Sequence, residues 1–350
     1  MILTNSLMVS LVLLGVGMLL WGIWIATFRS ATTGTKWRFE FYCFDFGFGA
    51  LIASLITALT LGTLGWDGFA FIDELGLSGK RQELWAFLGG MTFALGNMLM
   101  LGATSISGVV LSVPITAGLG FALGGILMNL VNPGGSWLTL NAGVVATLAA
   151  LVFGFLAQRS AAGARLETAI REGRTKSTKK VVSLKGILLA VFGGLFMAGY
   201  FPLMDLARVP DLGMGPYTAT FLCSLGIFFA TIVFNLFFMN LPVQGNPAEI
   251  GGFFRGAARY HVLGFVGGAL WSLGMVAHYV ALRSEGAALP LPVYQYLALG
   301  IPGLIAGLLG LMAWKELAGD EGKVRTFGAA MIILLAIGVA LTSMSPAAPK

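Results

Sequence analysis

Long apolar runs separated by short polar stretches set the pattern of this chain, over residues 6–28, 41–64, 85–103, 106–131, 137–157, 186–206, 217–239, 261–282, 287–313 and 327–344. About 20 residues of α-helix cross the hydrocarbon core of a bilayer, and only helices or closed barrels satisfy their backbone there. None of the runs alternates apolar with polar at period two, so all read as membrane-spanning helices. The first run lacks a basic leader and is too long for the apolar part of a signal peptide, so it reads as a retained span. Asn132-Pro133-Gly134-Gly135 reads as a sharp turn between the fourth and fifth spans.

Composition agrees with this pattern. Hydrophobic residues make up 57% of the 350 and charged residues 10%, too few charges to cover a soluble fold of this size. The basic residues give the orientation. The stretch from Arg159 to Lys185 carries eight of them, and placing it in the cytoplasm puts sixteen Lys and Arg inside and five outside, with both termini outside. The net charge of +6 is then a topology signal and a lipid contact, and calls for no nucleic-acid partner. Within the central stretch, Ala164–Glu172 has the composition of a short amphipathic helix, although a solvated tether is the simpler reading.

The chain also contains a duplication. Residues 86–115 and 264–293 align without a gap, and nine positions are identical: Phe87/Phe265, Gly89/Gly267, Gly90/Gly268, Leu95/Leu273, Gly96/Gly274, Ala103/Ala281, Gly108/Gly286, Leu111/Leu289 and Pro114/Pro292. About three would be expected by chance in so Gly- and Leu-rich a chain. Five spans per copy is an odd number, so successive copies insert in opposite senses. The expected fold is therefore an all-α membrane protein of ten transmembrane helices in two inverted five-helix repeats, residues 1–158 and 186–350, joined by a cytoplasmic linker over 159–185. Such halves rock about a central site between inward- and outward-open forms of similar energy, as secondary transporters do. Pro114 and Pro292, at matched places, predict a paired break in spans four and nine. Gly267, Trp271, Gly274 and His278 share one face of the eighth span, matched by Gly89, Phe93, Gly96 and Met100 in the third.

Few polar groups fall inside the spans. Asp45 lies about one turn into the second, where a carboxylate costs up to roughly 2.5–3.5 kcal/mol. Two readings stand: a proton-coupling or gating carboxylate, or one that snorkels to the inner interface beside Arg38. His278, nearer the outside, is a proton relay or a group bonded to an outer loop. Asn97, Thr116, Trp271, Tyr294 and Gln295 cluster at mid-depth, and uncharged amides and rings suit a flat, neutral, hydrogen-bonding solute. Each amide also serves interhelical bonding. No Lys or Arg lies in a span core, which disfavours phosphorylated solutes. Cys43 and Cys223 sit in spans with no Cys-x-x-Cys or Cys/His cluster, so packing is their role and no metal or cofactor is expected. Gly118-Leu119-Gly120 follows no strand and is no nucleotide loop. The absence of a nucleophile–base pair argues against an enzyme.

Several of these residues carry a resemblance. Trp21-Gly22-Ile23-Trp24 closing the first span, Phe41-Tyr42-Cys43-Phe44-Asp45 opening the second, Gly89-Gly90 with Gly96-Asn97 in the third, the basic central loop and Leu289-Pro290-Leu291 resemble the ureide permease family of the drug/metabolite transporter superfamily. The resemblance implies proton-coupled import of neutral oxo-heterocycles such as allantoin, uracil or xanthine through a multi-pass cell-membrane permease. Asp45 stands at the place of the family's acid, Asn97 in its Gly-Asn, and Trp24 joins the expected substrate-binding set. Lys315-Glu316 stands where the superfamily has Gly-Glu, and the ninth span is longer. A sugar uptake permease of the same superfamily and a non-transporting membrane scaffold remain as alternatives.

Overall fold

The structure is a computed structural model that describes residues 1–131, 136–173, 183–208, 212–283, 291–316 and 322–345, with the backbone alone at 165 and 291–299. It is helical throughout, with no strand among the described residues. The helices are α1 (Leu7–Ile23), α2 (Ile25–Thr32), α3 (Phe39–Leu59), α4 (Phe71–Leu77), α5 (Lys80–Ser107), α6 (Val109–Val131), α7 (Trp137–Arg171), α8 (Leu184–Ala207), α9 (Pro216–Asn240), α10 (Ile250–Phe254), α11 (Ala258–Leu282), α12 (Leu291–Leu308) and α13 (Lys323–Ser343), and a π-helical turn, Leu309–Ala313, extends α12. Taken with α1 and α2 as one rod, nine described helices are long and apolar enough to cross a membrane.

The boundaries depart from the sequence reading where local chemistry outweighs hydropathy. α7 continues to Arg171, so 159–171 is helix rather than tether. Ala161, Ala162, Ala164, Leu166, Glu167 and Ala169 are strong helix formers, and no proline stops them. α3 stops at Leu59, short of the apolar run's end. Pro114 lies inside α6, but Pro292 sits in the first turn of α12, where no intrahelical donor is lost; the proline inside α12 is Pro302. The expected turn at 132–135 lies outside the described residues. One glycine is required by its backbone: Gly108 joins α5 to α6 in a single residue at φ 80°.

Small residues let the helices touch backbone to backbone, as membrane packing favours. α5 lies on α8 with Gly96 against the Gly193 carbonyl, and α1 lies on α11 with Gly17 against the Gly274 carbonyl. Gly90 abuts the Cys223 carbonyl where α5 crosses α9, and Gly268 abuts the Phe46 carbonyl where α11 crosses α3. On the same two crossings, Gly226 meets Phe87 and Gly49 meets Phe265. α7 and α13 meet reciprocally, Gly143 on Thr342 and Gly338 on Thr147.

These contacts also give directions. Gly79 bonds to Leu212 at the start of α9, while Gly102 faces Val243 beyond its end, so α5 and α9 run the same way. Asn235 reaches Glu40 and Gly62 faces Tyr217, so α9 and α3 are antiparallel. Trp37 touches His261 at one end, and Ala58 clusters with Val276 and Val280 at the other, so α3 and α11 are parallel. It follows that α5 and α11, which carry the matched segments, run in opposite directions.

Candidate functional site

At the centre of the bundle an aromatic-walled cavity of about 100 Å³ lies between α1, α2, α5, α6, α8, α11 and α12. Trp271 forms its floor. The indole stacks on Trp21 at 6.2 Å between centroids, lies 4.3 Å from Phe93, and takes the edge of Tyr200 at 6.4 Å. Trp21 is fixed in turn, because its Nε1–H donates to the Trp271 carbonyl at 2.8 Å. Trp24, Met197, Phe201, Ala117, Pro302 and Ala306 are among the remaining wall residues. Rings held this way present fixed flat faces to the cavity.

One end of the cavity is closed by a layer of two hydroxyls, a guanidinium and an imidazole. The Tyr200 and Tyr279 hydroxyls lie 3.3 Å apart, and the Arg208 guanidinium sits 4.4 Å over the Tyr279 ring. His278 is buried in this layer, tilted against Trp21 at 5.3 Å, and its Nδ1 has no partner. Towards the other end a polar vestibule of about 550 Å³ opens. It lies one helical turn further along the same helices: Ile25 gives way to Phe28 and Arg29, Met100 to Thr104, and Val113 to Val109. Arg29 pairs there with Glu316, whose other oxygen accepts the Val110 N–H at 2.9 Å and so caps the start of α6.

Asp45 is buried beside this end but does not meet Arg38. Its two carboxylate oxygens each lie 3.0 Å from His261 Nδ1, on the first turn of α11. Arg38 instead pairs with Glu40, which is fully buried in the first turn of α3. The imidazole of His261 is held edge-on between Trp37 and Phe253, at 4.8 and 4.7 Å.

The structure therefore brings Trp24 and Trp271 into one cavity and leaves Asn97, Thr116, Asp45 and His278 outside its lining. Asn97 is buried one turn from Phe93 and Met100, with its Oδ1 unpartnered. Thr116 neighbours the lining Ala117, but its hydroxyl donates to the Ala190 carbonyl at 2.9 Å and ties α6 to α8. Asp45 and His278 lie beyond opposite ends of the cavity. The side chains of Tyr294 and Gln295 lie outside the described residues. Sequence reasoning missed Phe93, Tyr200 and His261. Phe93 carried a signal, because it is the repeat counterpart of Trp271.

No family model matches the chain. It is similar to ureide permease 1 of Arabidopsis thaliana, 23% identical over 353 residues, which cover 86% of this chain and 88% of that protein. A shorter stretch of 85 residues, 24% of this chain and 27% of the other, is 33% identical to a putative sugar uptake protein of Lactobacillus johnsonii. A solved crystal structure aligns over 96% of the chain at 17% identity with a TM-score of 0.49, too loose a likeness to carry the fold.

Proposed function

We propose that this protein is a secondary active transporter of the cell membrane that imports a small neutral oxo-heterocycle, a nucleobase or ureide such as uracil, xanthine or allantoin, together with a proton. The observation that carries this reading is the makeup of the central cavity. Its walls come in counterpart pairs: Trp21 with Met197, Trp24 with Tyr200 and Ile25 with Phe201, each 176 positions apart, and Phe93 with Trp271, 178 apart. A cavity built from equivalent residues of two copies is what alternating access about a pseudo-twofold axis requires. The opposed directions of α5 and α11 and the paired glycine crossings support two inverted five-helix repeats, with α12 as the ninth of ten spans. The basic central stretch supports a cytoplasmic placement of the vestibule end and an external placement of both termini.

The chemistry of the walls supports the solute class. Stacked rings with few polar atoms match the face of a planar heterocycle, and the buried, unpartnered Asn97 Oδ1, one turn from the lining Phe93 and Met100, is the acceptor we assign to a ring N–H. Similarity over most of the chain to a ureide permease supports the same class, and Asp45 is the group we assign to proton coupling. The local match to a sugar uptake protein supports the second reading, a sugar permease. The test is a thermal-shift panel of uracil, xanthine, allantoin and hexoses on the purified protein, followed by uptake into proteoliposomes under a proton gradient. Stabilisation by a heterocycle together with gradient-driven uptake is expected. Stabilisation by hexoses alone would favour the second reading, and absence of flux for every solute would leave a non-transporting scaffold.

A further inference from the structure

We propose that the proton site is a two-residue unit, the Asp45 carboxylate with the His261 imidazole, and that it is linked to the solute cavity through Phe46; this deepens the proton-symport reading and rests on it. The geometry is that of a dedicated pair: Nδ1 equidistant at 3.0 Å from both carboxylate oxygens, Gly264 packed on the Asp45 side chain, and two aromatic rings fixing the imidazole plane.

The duplication supplies an internal control. Gly49 and Gly226 make the matched contacts of α3 and α9, so the counterpart of Asp45, 177 positions on, is Leu222. The counterpart of His261 is Glu83, which bonds to Lys80 and Ser78 on its own side. The counterpart crossing, α5 on α9, is thus built without a carboxylate–imidazole pair. Packing does not need one, and a carboxylate in a span is costly.

Other titratable and charged groups nearby are accounted for. On α3 these are Cys43 and Tyr42, whose hydroxyl bonds to Thr27 of α2, and Glu40, tied to Arg38. On α11, Tyr260 is taken by Arg259. α9 presents the uncharged Thr231 to α3, and α10 presents Phe253. Among the described residues, no other basic group lies within 4.0 Å of the Asp45 carboxylate.

The proton balance is simple. In the unloaded state Nδ1–H donates to the carboxylate and the pair carries one negative charge. A proton from water binds the Asp45 carboxylate, giving a carboxylic acid beside a neutral imidazole and a pair of zero net charge, and the same proton leaves from the carboxyl group on the other side. A pair of zero net charge can be enclosed in an apolar bundle, whereas a net negative one resists it. The next residue after Asp45, Phe46, lies 5.1 Å from Trp24 and 6.4 Å from Trp271, so movement at the pair reaches the cavity wall directly.

The test is an infrared pH titration of the purified full-length protein without solute, alongside gradient-driven uptake and counterflow exchange of uracil, xanthine and allantoin. A titrating carboxylate band is expected in the wild type. Asp45→Asn should remove it, and His261→Gln should displace its midpoint by about one pH unit or more. His261→Gln should also abolish gradient-driven accumulation and leave counterflow. The double variant Asp45→Asn/His261→Gln guards against misfolding, since removing both partners costs less than stranding the carboxylate; its Tm should exceed that of His261→Gln alone. An unchanged midpoint in His261→Gln, or accumulation that survives in it with its pH dependence intact, overturns the pair. If the spectroscopic coupling is present while the wild type moves none of these solutes, the pair stands and the transport reading falls.

Discussion

Trp271 is the residue on which the cavity converges, since it touches Trp21, Phe46, Phe93 and Tyr200 while its own carbonyl holds the Trp21 indole. Replacing it with alanine removes a stacking face, worth roughly 0.5–1.5 kcal/mol beyond the area it buries. Trp271→Ala should weaken solute binding by about tenfold or more, Trp271→Phe by less, and Asn97→Ala by several-fold, as measured by titration calorimetry on the purified protein. Wild-type affinity in Trp271→Ala would remove it from the binding wall. Asp45 and Trp271 were visible in the sequence because a lone carboxylate in an apolar run, and an indole on a glycine-lined face, stand out by type. His261 was not. It stands at the very start of its run, where a polar residue is ordinary, and its partner lies 216 positions away, so the pair exists only once α3 and α11 are laid side by side. Tyr200 was hidden for a similar reason, because its meaning comes from the cavity it faces.

At the scale of the helix, hydropathy gave the positions of nine long apolar helices, and local propensity decided their ends. The run from Arg159 to Arg171 is polar enough to read as tether, yet its alanines and lack of proline carry α7 through it. Register was less legible. A gapless repeat sets Tyr294 against Thr116, but the cavity-lining Val113 and Ala117 of α6 find their natural counterparts in Pro302 and Ala306, 189 positions on rather than 178. An offset of eleven residues is close to three whole turns, so the helix faces are preserved and the shift leaves little trace in periodicity. The glycine crossings, in contrast, test directly. A leucine at Gly90 or Gly268 would overlap the carbonyl of Cys223 or Phe46 respectively, while nothing lies within 4 Å of a side chain added at Gly15. Overpacking of this kind costs about 1–3 kcal/mol or more. Gly90→Leu and Gly268→Leu should both lower Tm in detergent by similar amounts, and Gly15→Ala should leave it unchanged. A large effect at only one of the two crossings would break their equivalence.

Across the whole molecule, the two copies share a frame and differ in chemistry. The matched glycines repeat one helix crossing in the other, but where one side has Asp45, His261, Trp21 and Trp271 the counterpart positions hold Leu222, Glu83, Met197 and Phe93. On the function proposed here, a symmetric frame would give two open forms of similar energy, and asymmetric lining would give a solute and a proton distinct places to bind. The closed Tyr200–Tyr279–Arg208 layer and the open vestibule fit one of those forms. The central claim, that the copies sit upside down relative to each other, is tested most directly by side-specific labelling. Lys80 and Ala258 are counterpart residues at the first positions of α5 and α11, and both are exposed at a helix start. With Cys43 and Cys223 replaced by alanine, Lys80→Cys and Ala258→Cys should react with a membrane-impermeant maleimide from opposite faces of the membrane, Lys80→Cys from outside and Ala258→Cys only after the cytoplasmic face is opened. Labelling of both from the same face would contradict the account.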